Sequence, residues 1–243
     1  MAKIPDRPED IFDEITGDYT ALFGDDLVAI ILYGSGARGE YVAKKSDINF
    51  LIVLSDSGIE RLGSAVSTVA KWRKRNVRTP LVMTKGYVES SLDAFPLEFF
   101  NIKSAYKVVC GQDVLKDLGI RKDDLRLQCE RELKAKLLLL RESFLEADDK
   151  SYLMRELVGQ SLSAFVSIFK ALLYLKGEDV PEKNEAVLSA TAQGFGLDVD
   201  LFQGLWHIKR GEKKPGKAEL KEIVQNYIKE IRRLSTKVDQ MEL

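Results

Sequence analysis

Two neighbouring segments, Leu32-Tyr-Gly-Ser-Gly-Ala-Arg-Gly-Glu40 and Ser46-Asp-Ile-Asn-Phe-Leu-Ile-Val53, carry residue types and spacing suited to phosphate chemistry. The first begins where an apolar run gives way to a Gly34–Ser35 turn, which is expected to open a helix. Backbone N–H groups at such a turn attract phosphate. The Ser35 hydroxyl adds a donor and Arg38 adds positive charge. Asp47 opens the next apolar run, and Asn49 lies two residues on, so both side chains point to one face of a strand. Oxygen ligands on a strand edge beside a phosphate cradle suit a Mg²⁺-nucleotide complex. Gly-Ser-Gly alone is common in loops, and an aspartate alone is a frequent turn residue. Their conjunction between two apolar strands argues for a site.

The surrounding pattern must position these residues. Ile11, Ile15, Tyr19, Leu22 and Phe23 mark an amphipathic helix. Leu27 to Tyr33 and Ile48 to Leu54 are continuous apolar runs, which predict strands covered on both faces. A helix is expected over Ser64 to Lys74, with short strands over Pro80 to Met83 and Leu97 to Ile102. Beyond Asp123 the period changes to that of bundle helices. These are expected at Asp123 to Ala147, Leu153 to Leu175, Glu182 to Ala192, Val199 to Ile208 and Lys217 to Lys237. Gly177 and Pro181 mark the end of the second. The reading is an α+β chain: a small mixed sheet over residues 1–115, a boundary within Gly111 to Lys122, and an all-α bundle over residues 123–243.

With these residues in place, the first half resembles the nucleotidyltransferase superfamily of the DNA polymerase β type, in its kanamycin and minimal nucleotidyltransferase branches. The family pattern is a Gly-Ser turn, an Asp-hydrophobic-Asp/Glu strand about ten residues on, and a third carboxylate on a later strand. Gly34, Ser35, Ala37, Gly39, Ser46, Asp47 and Ile48 fit it. The resemblance implies transfer of a nucleoside monophosphate from an NTP, most directly ATP, to an acceptor hydroxyl, with Mg²⁺ or Mn²⁺ and release of pyrophosphate. It assigns nucleotide binding to Gly34, Ser35, Arg38 and Ser46, and metal binding and catalysis to Asp47, Asn49 and Glu98. Glu98 is taken as the third carboxylate and general base, on the expected strand Leu97 to Ile102; Asp93 and Glu89 read as helix surface. Asn49 departs from the pattern, since an amide offers one oxygen and no charge. The alternative reading is therefore a nucleotide- or partner-binding protein, regulatory or toxin-antitoxin-like, that has lost turnover. The C-terminal helices are expected to bind the acceptor (a small molecule, a protein or an RNA end) or to pack against a second copy. Glu156 and Gln160, four apart on a helix, are candidates to line a polar pocket there.

Composition excludes several other classes. The 243 residues are 45% hydrophobic and 31% charged, with 37 Lys and Arg against 38 Asp and Glu. That balance argues against a protein that coats nucleic acid through bulk charge, while leaving a local basic patch open. Cys110 and Cys129 cannot build a disulfide framework or a cysteine-rich zinc site. His207 is the single histidine, which disfavours a Ser-His-Asp hydrolase. Residues 200 to 202, where the spacing would put it, hold no arginine, so the Arg-x4–6-His ribonuclease motif of related HEPN bundles is absent. Lys44, Lys45 and the basic stretch from His207 to Lys217 read as solvated loops. No signal peptide is read in Met1 to Asp13 and no apolar run is of membrane-spanning length, so a cytoplasmic location is expected.

Overall fold

A computed structural model describes residues 3–243 of the chain. It divides at Ile120 and Arg121 into two compact units.

The first unit contains α1 (Phe12–Phe23), β1 (Leu27–Tyr33), β2 (Asn49–Leu54), α2 (Asp56–Glu60), α3 (Val66–Arg73), β3 (Leu81–Thr84), α4 (Lys85–Ser90), α5 (Pro96–Lys103) and β4 (Tyr106–Gly111). The strands form one mixed sheet in the order β3-β2-β1-β4. β1 runs antiparallel to β2 and β4, whereas β2 and β3 are parallel. Alternation along the strands sends residues to both faces. Ile30, Leu32, Phe50 and Ile52 pack with Ile11, Ile15 and Tyr19 on one side. Ala29, Ile31, Leu51 and Val53 pack with Ile102, Val114 and Leu115 on the other. Burial of both faces explains why β1 and β2 read as unbroken apolar runs.

The segment expected as a strand at Leu97 to Ile102 is instead the helix α5. Leu97 and Phe99 imitate a two-residue alternation. Pro96 occupies the first helical turn, however, where its fixed φ favours a helix and its missing N–H matters least. The fourth strand of the sheet is Tyr106–Gly111. The expected helix at Ser64 to Lys74 is α3, preceded by a 3-10 turn at Leu62–Ala65.

The second unit is helical throughout its regular structure: α6 (Lys122–Glu146), α7 (Ser151–Leu175), α8 (Asn184–Gly194), α9 (Val199–Lys209) and α10 (Lys217–Asp239). Leu220, Val224, Tyr227, Ile231, Leu234 and Val238 recur every three or four residues of α10 and are all fully buried. Phe165, Phe169, Phe202 and Tyr227 interlock in the centre, with ring centroids 5.7–6.2 Å apart. By length and composition α7 could cross a membrane, but 61% of its apolar window is buried against the rest of the protein. That is the environment of a bundle's core helix.

Candidate nucleotide site

The site is built where β1 ends. Gly34 follows Tyr33 with φ +75°, a conformation that disfavours any residue with a Cβ. Its N–H donates to the Ala105 carbonyl at 3.1 Å, which ties the turn to the start of β4. Its carbonyl accepts from the Ala37 and Arg38 amides, each at 3.1 Å, and the Ser35 carbonyl accepts from the Glu40 amide at 3.0 Å. The turn at Gly34–Gly36 is thus a 3-10 turn closed by local hydrogen bonds rather than the start of a long helix. Gly36 is buried against Leu32 and Pro8. Ser35 is half-buried.

The loop from Ala37 to Asp47 returns the chain to β2. Ser46 organises it: its hydroxyl accepts from the Val42 amide at 3.1 Å, and its amide donates to the Val42 carbonyl at 2.8 Å. The Ser46 carbonyl accepts from Asn76 Nδ2 at 3.0 Å. Ile48 donates to the Asn76 carbonyl at 2.9 Å and accepts from the Arg78 amide at 2.9 Å. Asp47 therefore sits between two clamped neighbours with its own side chain exposed. Burial pushes the Tyr41 phenol above its usual pKa, and the charges of Asp6 and Asp47 add to the shift.

Ile48 and Phe50 are fully buried on the α1 side of the sheet. By alternation Asp47 and Asn49 face the other side, with Leu51 and Val53. Asn49 pairs directly with Tyr33 across β1 and β2. Its Nδ2 lies 3.6 Å from where a Cβ on Gly34 would stand. The Gly-Ser turn and the Asp47–Asn49 edge are therefore adjacent, because antiparallel pairing brings the end of β1 to the start of β2.

The remaining candidates are distributed less simply. Arg38 is exposed and its Nε holds Glu40 Oε2 at 3.0 Å, so part of its charge is already matched. Glu98 is exposed on α5, not on a strand, one turn before the Ile102 that packs on the Asn49 side of the sheet. Glu89 is on the surface of α4 as expected, whereas Asp93 is in the turn between α4 and α5. Glu89 lines a cavity of about 270 Å³ with Asp113 and Asp117. The Asp113 carboxylate there accepts from the Leu115 and Lys116 amides and from the Tyr106 hydroxyl, all at 3.1 Å. Among the described residues, no three His, Cys, Asp or Glu side chains gather as a metal-binding group. Asp47 just before β2 and Asn49 at its start offer one carboxylate and one amide oxygen, too few for a protein cage around a metal ion.

One residue escaped the sequence reading. Arg78 follows the segment that clamps Asp47 and is exposed, with no ion pair among the described residues. Its charge opposes the upward push that burial gives the Tyr33 phenol, which places it electrostatically beside the end of β1. Nothing in the local sequence marks it, since its proximity depends on pairing between distant segments.

Elsewhere, Gln160 Nε2 donates to Glu156 Oε1 at 2.9 Å, and Gln160 lines a cavity of about 280 Å³ between α6 and α7. His207 lies on exposed α9 surface with its Nδ1 2.7 Å from Glu212 Oε2. Lys44 and Lys45 lie in the exposed loop before Asp47.

No family model and no curated protein sequence matches the chain. Its structure is similar to the crystal structure of spectinomycin adenyltransferase AAD(9) from Enterococcus faecialis with ATP and spectinomycin. The likeness has a TM-score of 0.51 at 12% sequence identity, and covers 94% of this chain and 98% of that one. The chain thus has a nucleotidyltransferase fold: a mixed-sheet domain followed by a helical region.

Proposed function

We propose that the first unit binds ATP with Mg²⁺ and transfers its nucleoside monophosphate to an acceptor hydroxyl. The observation that carries this reading is the adjacency of Gly34 and Asn49, which sets the Gly-Ser turn beside the Asp47 edge. The fold shared with an adenyltransferase solved with ATP supports the choice of nucleotide.

In this reading the hydroxyl and amide of Ser35 receive phosphate oxygens, while the Gly34 amide stays on the Ala105 carbonyl. Arg78 and, more weakly, Arg38 balance their charge. Ser46 holds the loop that presents Asp47. Asp47 and Asn49 are the residues that would hold a Mg²⁺ ion. Such an ion would supply polarisation of the α-phosphate and charge stabilisation as pyrophosphate leaves. The acceptor oxygen forms the new bond to the α-phosphorus, pyrophosphate leaves, and the acceptor proton passes to a carboxylate. Glu98, on the helix over the same sheet face, is proposed for that base role.

Asn49 favours a second reading, in which the site binds Mg²⁺-ATP without turnover. Incubation with ATP labelled at the α-phosphate, Mg²⁺ and cell extract separates the two. A labelled product with pyrophosphate release supports transfer. Binding without labelled product supports the second reading, and neither binding nor product rejects both.

A further inference from the structure

The chain is nearly neutral overall, yet the C-terminal half of α10 is not. Lys229, Arg232, Arg233, Thr236, Lys237 and Gln240 line an open groove of about 440 Å³. At three- and four-residue spacing these side chains share one side of the helix. No acidic residue lines the groove. Glu230 is buried, accepts from the Asp198 amide at 3.0 Å and pairs with Arg233 at 2.7 Å. Asp239 pairs with Lys134 of α6 at 3.1 Å.

The four cations are held differently. Arg233 is fixed by Glu230 and by the Gly196 carbonyl at 3.1 Å. Lys229 donates to Asn226 Oδ1 at 3.2 Å. Arg232 and Lys237 are exposed and have no ion pair among the described residues. Lys237 leans toward the same turn, with Nζ 3.7 Å from the Cβ position of Gly196. Two anchored and two unpaired cations therefore face a concave surface that also offers the Thr236 hydroxyl and the Gln240 amide.

We propose that this groove binds consecutive phosphate groups of a polyanion. From Lys229 to Lys237 is eight residues, about 12 Å along a helix. One phosphate cannot reach across that span, whereas a chain of phosphates can. The chemistry is shared by a single nucleic-acid strand and by a free polyphosphate chain. The proposal does not rest on the nucleotide site proposed above. With a net charge of -1, the whole chain offers no bulk attraction that would imitate it.

The test uses the full chain and two probes at 50 to 200 mM salt: a fluorescein-labelled single-stranded RNA of mixed sequence, followed by anisotropy, and inorganic tripolyphosphate, followed by calorimetry. Arg232→Ala/Lys237→Ala is expected to weaken RNA binding at least tenfold at the lowest salt. The slope of log K against log salt is expected to fall by about 1.4, two phosphate contacts at about 0.7 each. Arg232→Gln/Lys237→Gln, which keeps side-chain bulk, should do the same. Lys213→Ala/Lys214→Ala removes equal charge from the loop before α10, at the other end of the helix, and should leave binding unchanged. Tripolyphosphate binding that is lost in the α10 variants, with no RNA binding, identifies the free polyphosphate as the source. The proposal is overturned if neither probe binds, if the α10 variants keep wild-type affinity and slope, or if the loop variant loses as much. Asp47→Ala should retain RNA binding, which separates this result from the fate of the nucleotide site.

Discussion

The amide of Asn49 rests against Gly34, with Nδ2 3.6 Å from the position a Cβ would take. The start of β2 thus lies beside the turn that ends β1. A carboxylate in place of Asn49 would add a unit charge at that point. Opposite unit charges about 4 Å apart at an effective dielectric of about 20 attract by about 4 kcal/mol before desolvation. A third of that is roughly tenfold in affinity. Asn49→Asp is therefore expected to tighten Mg²⁺-ATP binding by tenfold or more, measured by calorimetry with and without Mg²⁺. An equal gain without the metal would contradict a metal-ligating role for this position.

Arg78 is expected to matter more to nucleotide affinity than Arg38, because Arg38 is already paired with Glu40. Arg78→Ala should weaken ATP binding several-fold, with a loss that shrinks at high salt as exposed charges are screened. Arg38→Ala should have the smaller effect. The reverse order would displace Arg78 from the site.

The sheet depends on Gly111, which has φ +80° at the end of β4. A Cβ there would stand 2.0 Å from the Val28 carbonyl oxygen and 3.0 Å from the Ala29 Cα. Both are backbone atoms of β1, so neither can rotate away. Gly111→Ala is expected to destabilise the first unit by about 3 kcal/mol or more. Gly119→Ala meets nothing within 4 Å and has ordinary φ. It should stay within about 0.5 kcal/mol of wild type in urea denaturation. Equal stability of the two variants would contradict the packing described for β1 and β4.

Glu130 gives the helical unit a measurable acid dependence. Lys134 at 2.5 Å and Arg126 at 2.9 Å hold its carboxyl down to about 2, against the opposing effect of burial. Its folded-state pKa is depressed, so its stabilisation is present above the ordinary glutamate range of about 4.5 and is lost as pH falls toward about 2. Allowing for the exposure of Lys134, the contribution is of order 1–2 kcal/mol. Glu130→Gln should lower stability by that amount at pH 6 and by little at pH 2.5. A gap that does not change with pH would remove the ion pairs as its cause.

Much of this arrangement is legible in the sequence because it depends on local periodicity. The apolar runs of β1 and β2 are continuous because both sheet faces are covered, and the leucine-rich stripes of α6, α7 and α10 follow helical spacing. The Gly34–Ser35 turn and the Asp47–Asn49 pair were readable as neighbours because β1 and β2 are consecutive strands. What the sequence concealed was set by competing or distant effects. Pro96 started a helix where Leu97 and Phe99 alternate like a strand, which moved Glu98 off the sheet. The clamp on Asp47 comes from Asn76, thirty residues beyond Ser46 in the chain. Arg78 is near Tyr33 through the same long-range pairing, so its position carries no local signal.

The central claim is that Asp47 anchors a Mg²⁺-nucleotide complex beside the Gly34 turn. Calorimetric titration of ATP into wild-type protein and Asp47→Ala, each with Mg²⁺ and with a chelator, tests it most directly. The account predicts Mg²⁺-dependent binding in the wild type. In Asp47→Ala, where melting temperature should be unchanged because the side chain is exposed, that dependence should disappear. Unchanged Mg²⁺-ATP affinity in a folded Asp47→Ala protein would contradict the assignment.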